Sequence, residues 1–263
     1  MSDWRSTCGS KLTTARAAMR HLRPGQRLYL SAGSAAPQGL YDGLVDPAVA
    51  LGDNQIIHLL TLGDAPYVRP ELAQRFRHNA LFIGPNVRQA VSEGRADYTP
   101  AFLSEIPGLI RSGRIAIDAA LLCVSPPDAE GWCSFGTHVD LAPAVIEVAP
   151  ALIGEINAQM PRSCGPHRVH VDRFAALVET DRPLPELSPP PGRPETEAIA
   201  RFIAELVPEG ATLQLGIGGI PDGVMRHLRE RRDLGLHTEM FSDGVGGLAE
   251  QGAFGGSGKK LHP

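Results

Sequence analysis

Short apolar runs alternate along this sequence with stretches of helical hydrophobic pattern, and this alternation constrains the fold more than any other feature. Runs rich in aliphatic residues predict strands at 27–31, 55–60, 80–83 and 115–124. Amphipathic stretches predict helices at 13–21, 71–76, 87–93 and 102–111. Continuous apolar strands that alternate with helices are typical of a mostly parallel sheet covered on both faces. The sequence therefore predicts an α/β protein.

The composition and charge of the chain argue against two classes of partner. Its 263 residues are 43% hydrophobic and carry 25 basic and 29 acidic side chains, a formal net charge of −4. Because no basic excess is available to neutralise a phosphate backbone, we expect no nucleic-acid partner. No stretch approaches the roughly 18 apolar residues of a membrane span, and the N-terminus lacks the apolar run of a signal peptide. We therefore expect no membrane partner and a cytoplasmic location.

The cysteines and histidines of the sequence do not form a recognisable metal or disulfide pattern. No C-x-x-C spacing occurs, so we expect reduced thiols in the cytoplasm. Cys133 has no histidine or basic cluster beside it and is interpreted as a packed thiol. His167 and His170 lie three apart on a predicted strand and would point to opposite faces. We predict no metal site. The four cysteines are Cys8, Cys123, Cys133 and Cys164.

A proline-rich segment divides the chain. Six prolines fall within residues 183–194, which predicts a linker between an N-terminal α/β domain at 1–182 and a second α/β domain that starts at 195. A helix is predicted over 195–206, with large apolar residues on one face: Ile199, Phe202, Ile203 and Leu206. The 69 residues from 195 to 263 bury too little surface for a stable domain. We expect an incomplete domain, or one that another chain completes.

A glycine loop within a strand–helix–strand segment is the most informative feature of the second domain. Residues 212–215 predict a strand, 216–219 a tight loop, and Pro221 the first turn of a helix that ends near 231. A second strand is predicted over 236–241. Such crossovers are right-handed and make the strands parallel, so the loop and the end of the second strand meet at one sheet edge. Ligands bind at that edge.

Glu239 is the ionisable residue that this arrangement singles out. Period-two alternation places His237, Glu239 and Phe241 on one face of the second strand, opposite Thr238 and Met240. Glu239 would then lie within reach of the glycine loop. Two alternatives remain open from the residues alone: a solvent-facing carboxylate at a strand end, and a loop that is only a close-packed turn. A proline at the last position of G-x-G-x-x-G argues against a dinucleotide site.

Four sequence segments together resemble the acetyl-CoA hydrolase/transferase family, a class I CoA-transferase-like group. They are LQLGIGGIPDGV (213–224), LGLHTEMFSDG (234–244), VSPPDAEGWCSFGTHVD (124–140) and EINAQMPR (155–162). The resemblance covers almost the whole chain. It implies two CoA-transferase-like α/β domains with mostly parallel sheets, the second truncated here, because family members extend well past residue 263.

The resemblance also implies a reaction and its residues. Glu239, within H-T-E-M, corresponds to the nucleophile that forms a glutamyl-CoA thioester in acyl-CoA:carboxylate CoA-transferases. The residues implied to contact CoA are Gly216, Ile217, Gly218, Gly219 and Ile220. Coenzyme A would be the substrate carrier, with no permanently bound cofactor, and the partners would be acyl-CoA, small carboxylates and a second copy in a homodimer. Two alternatives stay open: an acyl-CoA hydrolase, and a noncatalytic ligand-binding subunit.

Overall fold

Contacts within the computed structural model, which describes residues 4–188 and 192–255, divide the chain between Glu186 and Leu187. We call Met1–Glu186 the N-terminal unit and Leu187–Pro263 the C-terminal unit. This boundary falls inside the proline-rich segment 183–194. Three of its prolines, Pro189, Pro190 and Pro191, lie outside the described residues. The assignment of 183–194 as a linker between two domains stays a prediction.

The described part of the N-terminal unit contains both helices and strands. Its strands are β1 Arg27–Leu30, β2 Asn54–His58, β3 Phe76–Ala80, β4 Ala96–Tyr98, β5 Ala119–Val124, β6 Trp132–Ser134, β7 Ala151–Asn157, β8 Arg168–His170 and β9 Ala176–Thr180. Its α-helices are α1 Arg5–Cys8, α2 Ala15–Ala18, α3 Gln38–Leu44, α4 Pro85–Ser92, α5 Ile106–Arg111 and α6 Ala142–Val148. Single 3₁₀ turns lie at Gly9–Lys11, Met19–His21, Pro66–Val68, Pro70–Leu72 and Val171–Arg173.

Seven of these strands form one parallel sheet in the order β4-β3-β2-β1-β5-β7-β9. The predicted α/β class is confirmed. The strand order reverses between β1 and β5, and such a reversal is a topological switch point. Strands β6 and β8 pair antiparallel in a separate two-stranded ribbon.

The two faces of this sheet carry two separate apolar cores. Alternate residues of β1 divide between them, because Tyr29 faces one core while Leu28 and Leu30 face the other. The core around Tyr29 packs against α5 and α6, and the core around Leu28 packs against α2 and α3. All six residues of β5 are buried. This two-sided burial explains why β1 and β5 are recognisable as continuous apolar runs.

The two ends of the N-terminal unit lie side by side. The backbone N–H of Thr13 donates to the carbonyl of Leu177 on β9, at 2.8 Å. The Arg5 guanidinium donates through Nε to Glu179 Oε2, at 2.9 Å. Arg5 and Thr13 therefore both contact the last strand of the unit.

The region of β3 corrects two sequence predictions. The helix expected at 71–76 is only the 3₁₀ turn Pro70–Leu72, and the strand expected at 80–83 is instead Phe76–Ala80. The strand alternates buried Phe76, His78 and Ala80 with the exposed Arg77 and the half-buried Asn79. Because a histidine occupies a core position, the segment does not have the apolar run by which the other strands were identified. Strands β7 and β9 were also missed.

A buried carboxylate joins β7 to helix α3. Glu155 Oε2 accepts hydrogen bonds from the backbone N–H groups of Gly39 at 2.8 Å and Leu40 at 3.2 Å. Its Oε1 accepts one from the Thr180 hydroxyl at 2.8 Å. Burial raises the pKa of the Glu155 carboxyl, and these hydrogen bonds oppose that rise. The close approach of α3 to Glu155 needs a residue without a side chain at position 39.

We expect Gly39→Ala to lower the free energy of unfolding by about 2 kcal/mol, because it overpacks this site. A Cβ at position 39 would lie 2.6 Å from Thr180 Cγ2 and 2.8 Å from Glu155 Oε1. Gly108→Ala in α5 is the matched control, since its Cβ would meet no atom within 4 Å. A helical alanine there should stabilise the protein by roughly 0.5–1 kcal/mol. Urea unfolding measures both, and equal effects of the two changes would contradict the packing argument.

The described part of the C-terminal unit contains helix α7 (Pro194–Glu205), strand β10 (Thr212–Leu213), helix α8 (Gly219–His227), strand β11 (Gly235–Leu236) and helix α9 (Asp243–Glu250). Strands β10 and β11 pair in parallel, which confirms the predicted strand–helix–strand crossover. Both strands are shorter than predicted, and α8 ends at His227 rather than near 231. Helix α9 begins one residue before Gly244.

Helix α7 buries its small residues rather than its large ones. Ala200 and Ala204 are buried in the core of this unit. A Cβ at Gly223 of α8 would lie only 2.7 Å from the Ala200 Cβ, so these two helices pack through small side chains. The predicted apolar face is present but exposed: Ile199, Phe202, Ile203 and Leu206. None of the helices in the described ranges has the length and apolar character that crossing a bilayer requires.

Candidate functional site

The glycine loop connects β10 to α8 and leaves the start of that helix open. Gly218 has φ 113°, a conformation that favours glycine, and it directly precedes the first helical residue. No side chain caps the helix there, so its first backbone N–H groups keep their capacity to bind a ligand. Pro221 lies in the first turn, as predicted. The predicted contact residues are exposed or half-buried: Gly216, Ile217, Gly218, Gly219 and Ile220.

Two hydrogen-bonded anchors hold the segment that carries Glu239 beside this connection. Before Glu239, the Thr238 hydroxyl accepts from the backbone N–H of Leu215 at 3.0 Å, one residue ahead of the glycine loop. After Glu239, the Ser242 hydroxyl donates to Asp222 Oδ1 in α8 at 3.0 Å. The structure thus places Glu239 and the glycine loop at the same end of the parallel strand pair.

The Glu239 side chain is exposed. Beyond the two-residue strand β11 the backbone no longer forms a regular ladder, yet the predicted alternation persists. His237, Glu239 and Phe241 are exposed, whereas Thr238 and Met240 are half-buried. Within residues 4–188 and 192–255, no side chain or backbone group hydrogen-bonds or ion-pairs with the Glu239 carboxylate. The carboxylate is therefore available to a ligand or a reacting group.

Cys133, Asp128 and His170 have structural roles in the N-terminal unit. Cys133 is buried, and burial raises the pKa of its thiol to about 12, which confirms a packed thiol rather than a nucleophile. Asp128 Oδ1 accepts from the backbone N–H of Trp132 at 2.7 Å, as a turn-forming residue does. His170 Nε2 contacts the carbonyl of Glu130 at 2.8 Å. The described ranges hold no cluster of three or more residues arranged to bind a metal ion.

The structure also shows a hydrogen-bonded network around His138 that no sequence pattern predicts. His138, Asp140 and the buried Tyr29 form a hydrogen-bonded chain at the switch point of the N-terminal sheet. The H-x-D spacing of His138 and Asp140 is visible in the sequence. Tyr29 lies 111 residues away from Asp140, so no local pattern indicates the contact.

Two curated proteins similar to this chain are CoA transferases by name. The 4-hydroxybutyrate coenzyme A transferase of Clostridium kluyveri is 40% identical over 261 residues, which are 99% of this chain and 61% of that protein. The succinyl-CoA:acetate/propanoyl-CoA:succinate CoA transferase of Fasciola hepatica is 41% identical over 245 residues, 92% of this chain and 51% of that protein.

A solved structure shares this fold. The 4-hydroxybutyrate CoA-transferase of Porphyromonas gingivalis matches with a TM-score of 0.85 and 34% identity, covering 99% of this chain and 62% of that one. The chain therefore spans about half to three-fifths of the length of these relatives. The family model for the acetyl-CoA hydrolase/transferase N-terminal domain matches residues 2–184. The resemblance found in the sequence is thereby confirmed, and the chain belongs to the acetyl-CoA hydrolase/transferase family.

Proposed function

We propose that this protein is an acyl-CoA:carboxylate CoA-transferase in which Glu239 is the nucleophile. The observation that carries the proposal is an exposed Glu239 carboxylate, without a hydrogen-bond or ion-pair partner among the described residues, held beside a glycine loop and an uncapped helix start. A nucleophile needs an accessible oxygen, and the helix start offers N–H donors to the negative charge that develops during attack. The CoA-transferase names of the relatives support the same reaction.

The proposed reaction is an exchange of acyl groups through the enzyme. A Glu239 oxygen attacks the thioester carbonyl of the acyl-CoA, and the C–S bond breaks to release CoA thiolate and leave a mixed anhydride. The thiolate then attacks the glutamyl carbonyl and expels the acyl group as a carboxylate, which leaves a glutamyl-CoA thioester. An acceptor carboxylate reverses both steps and departs as the new acyl-CoA. Covalent catalysis of this kind replaces one difficult transfer by easier exchanges.

The glycine loop has two roles in this proposal. Each exchange passes through a tetrahedral oxyanion, for which the backbone N–H groups near Ile217 and Gly218 are the proposed donors. The stretch from Gly216 to Ile220 is the proposed CoA contact, because residues without Cβ atoms at 216, 218 and 219 let a ligand approach the backbone closely. Coenzyme A serves as substrate carrier, and the reaction requires no metal and no permanently bound cofactor. We also propose that the enzyme works as a homodimer.

Acyl-CoA hydrolysis is a second candidate function. The observation in its favour is the exposure of Glu239, because water that reaches the acyl-enzyme would compete with the acceptor carboxylate. Transfer requires that this water be excluded. CoA release from acyl-CoA in the absence of any acceptor, at the same rate as in its presence, would establish the hydrolase.

Steady-state kinetics of the full-length protein test the proposed function. A panel of acetyl-, butyryl-, succinyl- and 4-hydroxybutyryl-CoA should be combined with acetate and the matching acids as acceptors. We expect parallel double-reciprocal lines, because a covalent enzyme intermediate gives ping-pong kinetics. Intersecting lines would exclude the covalent route, and absence of transfer with the whole panel would refute the CoA-transferase proposal.

A further inference from the structure

The backbone ladder between β10 and β11 ends at a side chain. Its hydrogen bonds step along both strands by two residues: Gly235 N–H to the Ala211 carbonyl and His237 N–H to the Leu213 carbonyl, both at 2.9 Å. The next bond of this series would run from the Glu239 N–H to the Leu215 carbonyl. The Thr238 hydroxyl donates to that carbonyl instead, at 2.9 Å. The regular ladder therefore stops one step before Glu239.

The Thr238 hydroxyl contacts both backbone groups of Leu215. Besides donating to the carbonyl, it accepts a hydrogen bond from the Leu215 N–H at 3.0 Å. The Met240 carbonyl lies 3.1 Å from the same hydroxyl and is a second acceptor for its single proton. Within residues 4–188 and 192–255 the Glu239 N–H has no hydrogen-bond partner. One side chain thus replaces the backbone of residue 239 in the ladder, and Glu239 is released from the strand pair.

A second side-chain contact closes a ring of chain around this place. Leu215 directly precedes the glycine loop, and Asp222 lies in the first turn of the helix that follows it. The Ser242 hydroxyl donates to Asp222 Oδ1 at 3.0 Å. The Thr238 and Ser242 contacts therefore join the segment 238–242 to the segment 215–222 at both ends. Glu239 lies inside the ring that they close, and a short segment fixed at both ends has little conformational freedom left.

The proposed reaction depends on the relative position of the two joined segments. A Glu239 oxygen must reach the thioester carbonyl while N–H groups of the glycine loop stabilise the oxyanion that forms on it. A displacement of about 1 Å between such groups costs on the order of 10²-fold in rate. The Thr238 hydroxyl holds the residue next to Glu239 against the residue next to the loop. It therefore sets this distance without contacting a substrate.

We propose that Thr238 is a positioning residue for the nucleophile: its hydroxyl ends the ladder and holds Glu239 at the glycine loop. The inference rests on the proposed CoA-transferase function. Thr238 acts in this account only through Glu239 and the loop, so its hydroxyl stabilises the transition state rather than the bound substrates.

Thr238→Val and Thr238→Ser in the full-length protein test the role of the hydroxyl. Valine has nearly the same shape without the hydroxyl, so kcat should fall roughly tenfold to a hundredfold while KM for acyl-CoA and for acetate stays within about threefold. Serine keeps the hydroxyl and should retain kcat within about threefold of the parent value. Thr212→Val, the same change at an exposed threonine of β10, should leave all constants within about twofold. A parental kcat in Thr238→Val, or an equal loss in Thr238→Ser, would overturn the proposal.

Amide hydrogen exchange of the full-length protein tests the placement without turnover. In the parent we expect a protected Leu215 N–H and a freely exchanging Glu239 N–H. Thr238→Ser should keep the protection of Leu215, and Thr238→Val should lose it. A protected Glu239 N–H in the parent would show that the ladder continues, and it would refute the role of Thr238. Absence of CoA transfer in the parent, with the expected exchange pattern, would refute the proposed function while supporting the placement of Glu239 by Thr238.

Discussion

Replacement of Glu239 by glutamine is expected to reduce CoA transfer on the order of 10³-fold or more, because it removes the attacking oxygen anion. The fold should be unaffected. The Glu239 side chain is exposed and unpartnered among the described residues, and substitutions at such positions change the free energy of unfolding by about 0.5 kcal/mol or less. Glu250→Gln, a second exposed glutamate of the same unit, is the matched control. Transfer at the parent rate by Glu239→Gln would refute the assignment.

Glu239→Asp distinguishes covalent attack from general-base chemistry. The shorter side chain withdraws the carboxylate by about 1.5 Å, which should prevent attack on the thioester. The space released admits a water that the carboxylate can activate. We therefore expect loss of transfer, measured with acyl-CoA and acetate, and retention of some acyl-CoA hydrolysis.

Chemical trapping should identify the residue that carries CoA. The full-length enzyme is incubated with acyl-CoA and no acceptor, then treated with borohydride, which reduces a glutamyl thioester but not a free carboxylate. Peptide mass spectrometry should find reduction at Glu239 in the parent enzyme and in Glu250→Gln, and none in Glu239→Gln. Reduction at a different residue would contradict the proposed intermediate.

Acidification from pH 7 to pH 4 is expected to lower the free energy of unfolding by several kcal/mol, because two histidines are buried without charge in the N-terminal unit. His58 and His78 are both buried and stack with ring centroids 4.1 Å apart. The Tyr67 hydroxyl contacts His58 Nε2 at 2.7 Å, and His78 Nδ1 contacts the carbonyl of Ile56 at 3.0 Å. His58 Nδ1 and His78 Nε2 have no hydrogen-bond partner among the described residues.

Burial lowers both histidine pKa values, and this fixes the sign of the pH dependence. Burial, and secondarily His78, lower the pKa of His58 well below its ordinary value; burial lowers that of His78 to about 4. The unfolded chain therefore takes up protons at a higher pH than the folded one. Stability is fully present above about pH 6.5 and is lost as the pH falls toward 4. For His78 alone the loss is roughly 3 kcal/mol, at about 1.4 kcal/mol per pH unit.

Urea unfolding of the parent and of His78→Leu across pH 4 to 7 measures this contribution. The variant should lose one proton-linked step, so its free energy of unfolding should fall less steeply with acid, by about 1.4 kcal/mol per pH unit. His167→Gln, an exposed histidine, should retain the parental slope. A parental slope in His78→Leu would show that His78 does not titrate on unfolding.

The sequence predicts those strands and helices whose hydrophobic pattern can be read from a few consecutive residues. Strands β1 and β5 are buried on both faces and appear as apolar runs. Strand β3 does not appear as an apolar run, because the buried His78 stands at a position where a polar residue predicts surface exposure. The large apolar face of α7 is likewise misleading, since the helix packs through Ala200 and Ala204.

The same distinction applies to the candidate site and to the network around His138. The glycine loop and Glu239 lie within one short crossover, so spacing alone brings them to one edge. The His138 chain depends on Tyr29, on a strand 111 residues earlier than Asp140. Such a contact is decided by strand order in the sheet, and single-sequence periodicity contains no information about that order.

Because Arg5 and Thr13 contact strand β9, the segment that contains them can complete its native contacts only after most of the N-terminal unit has been synthesised. Residues 5–13 are synthesised before the rest of the described unit, yet their partners on β9 are made more than 160 residues later. At roughly 5–20 residues per second, translation leaves the first segment unpaired for about 8–30 s. Contacts between such distant residues also slow folding once synthesis is complete. These residues therefore wait longest within this unit for their native partners, and chaperones would have the longest time to act on them.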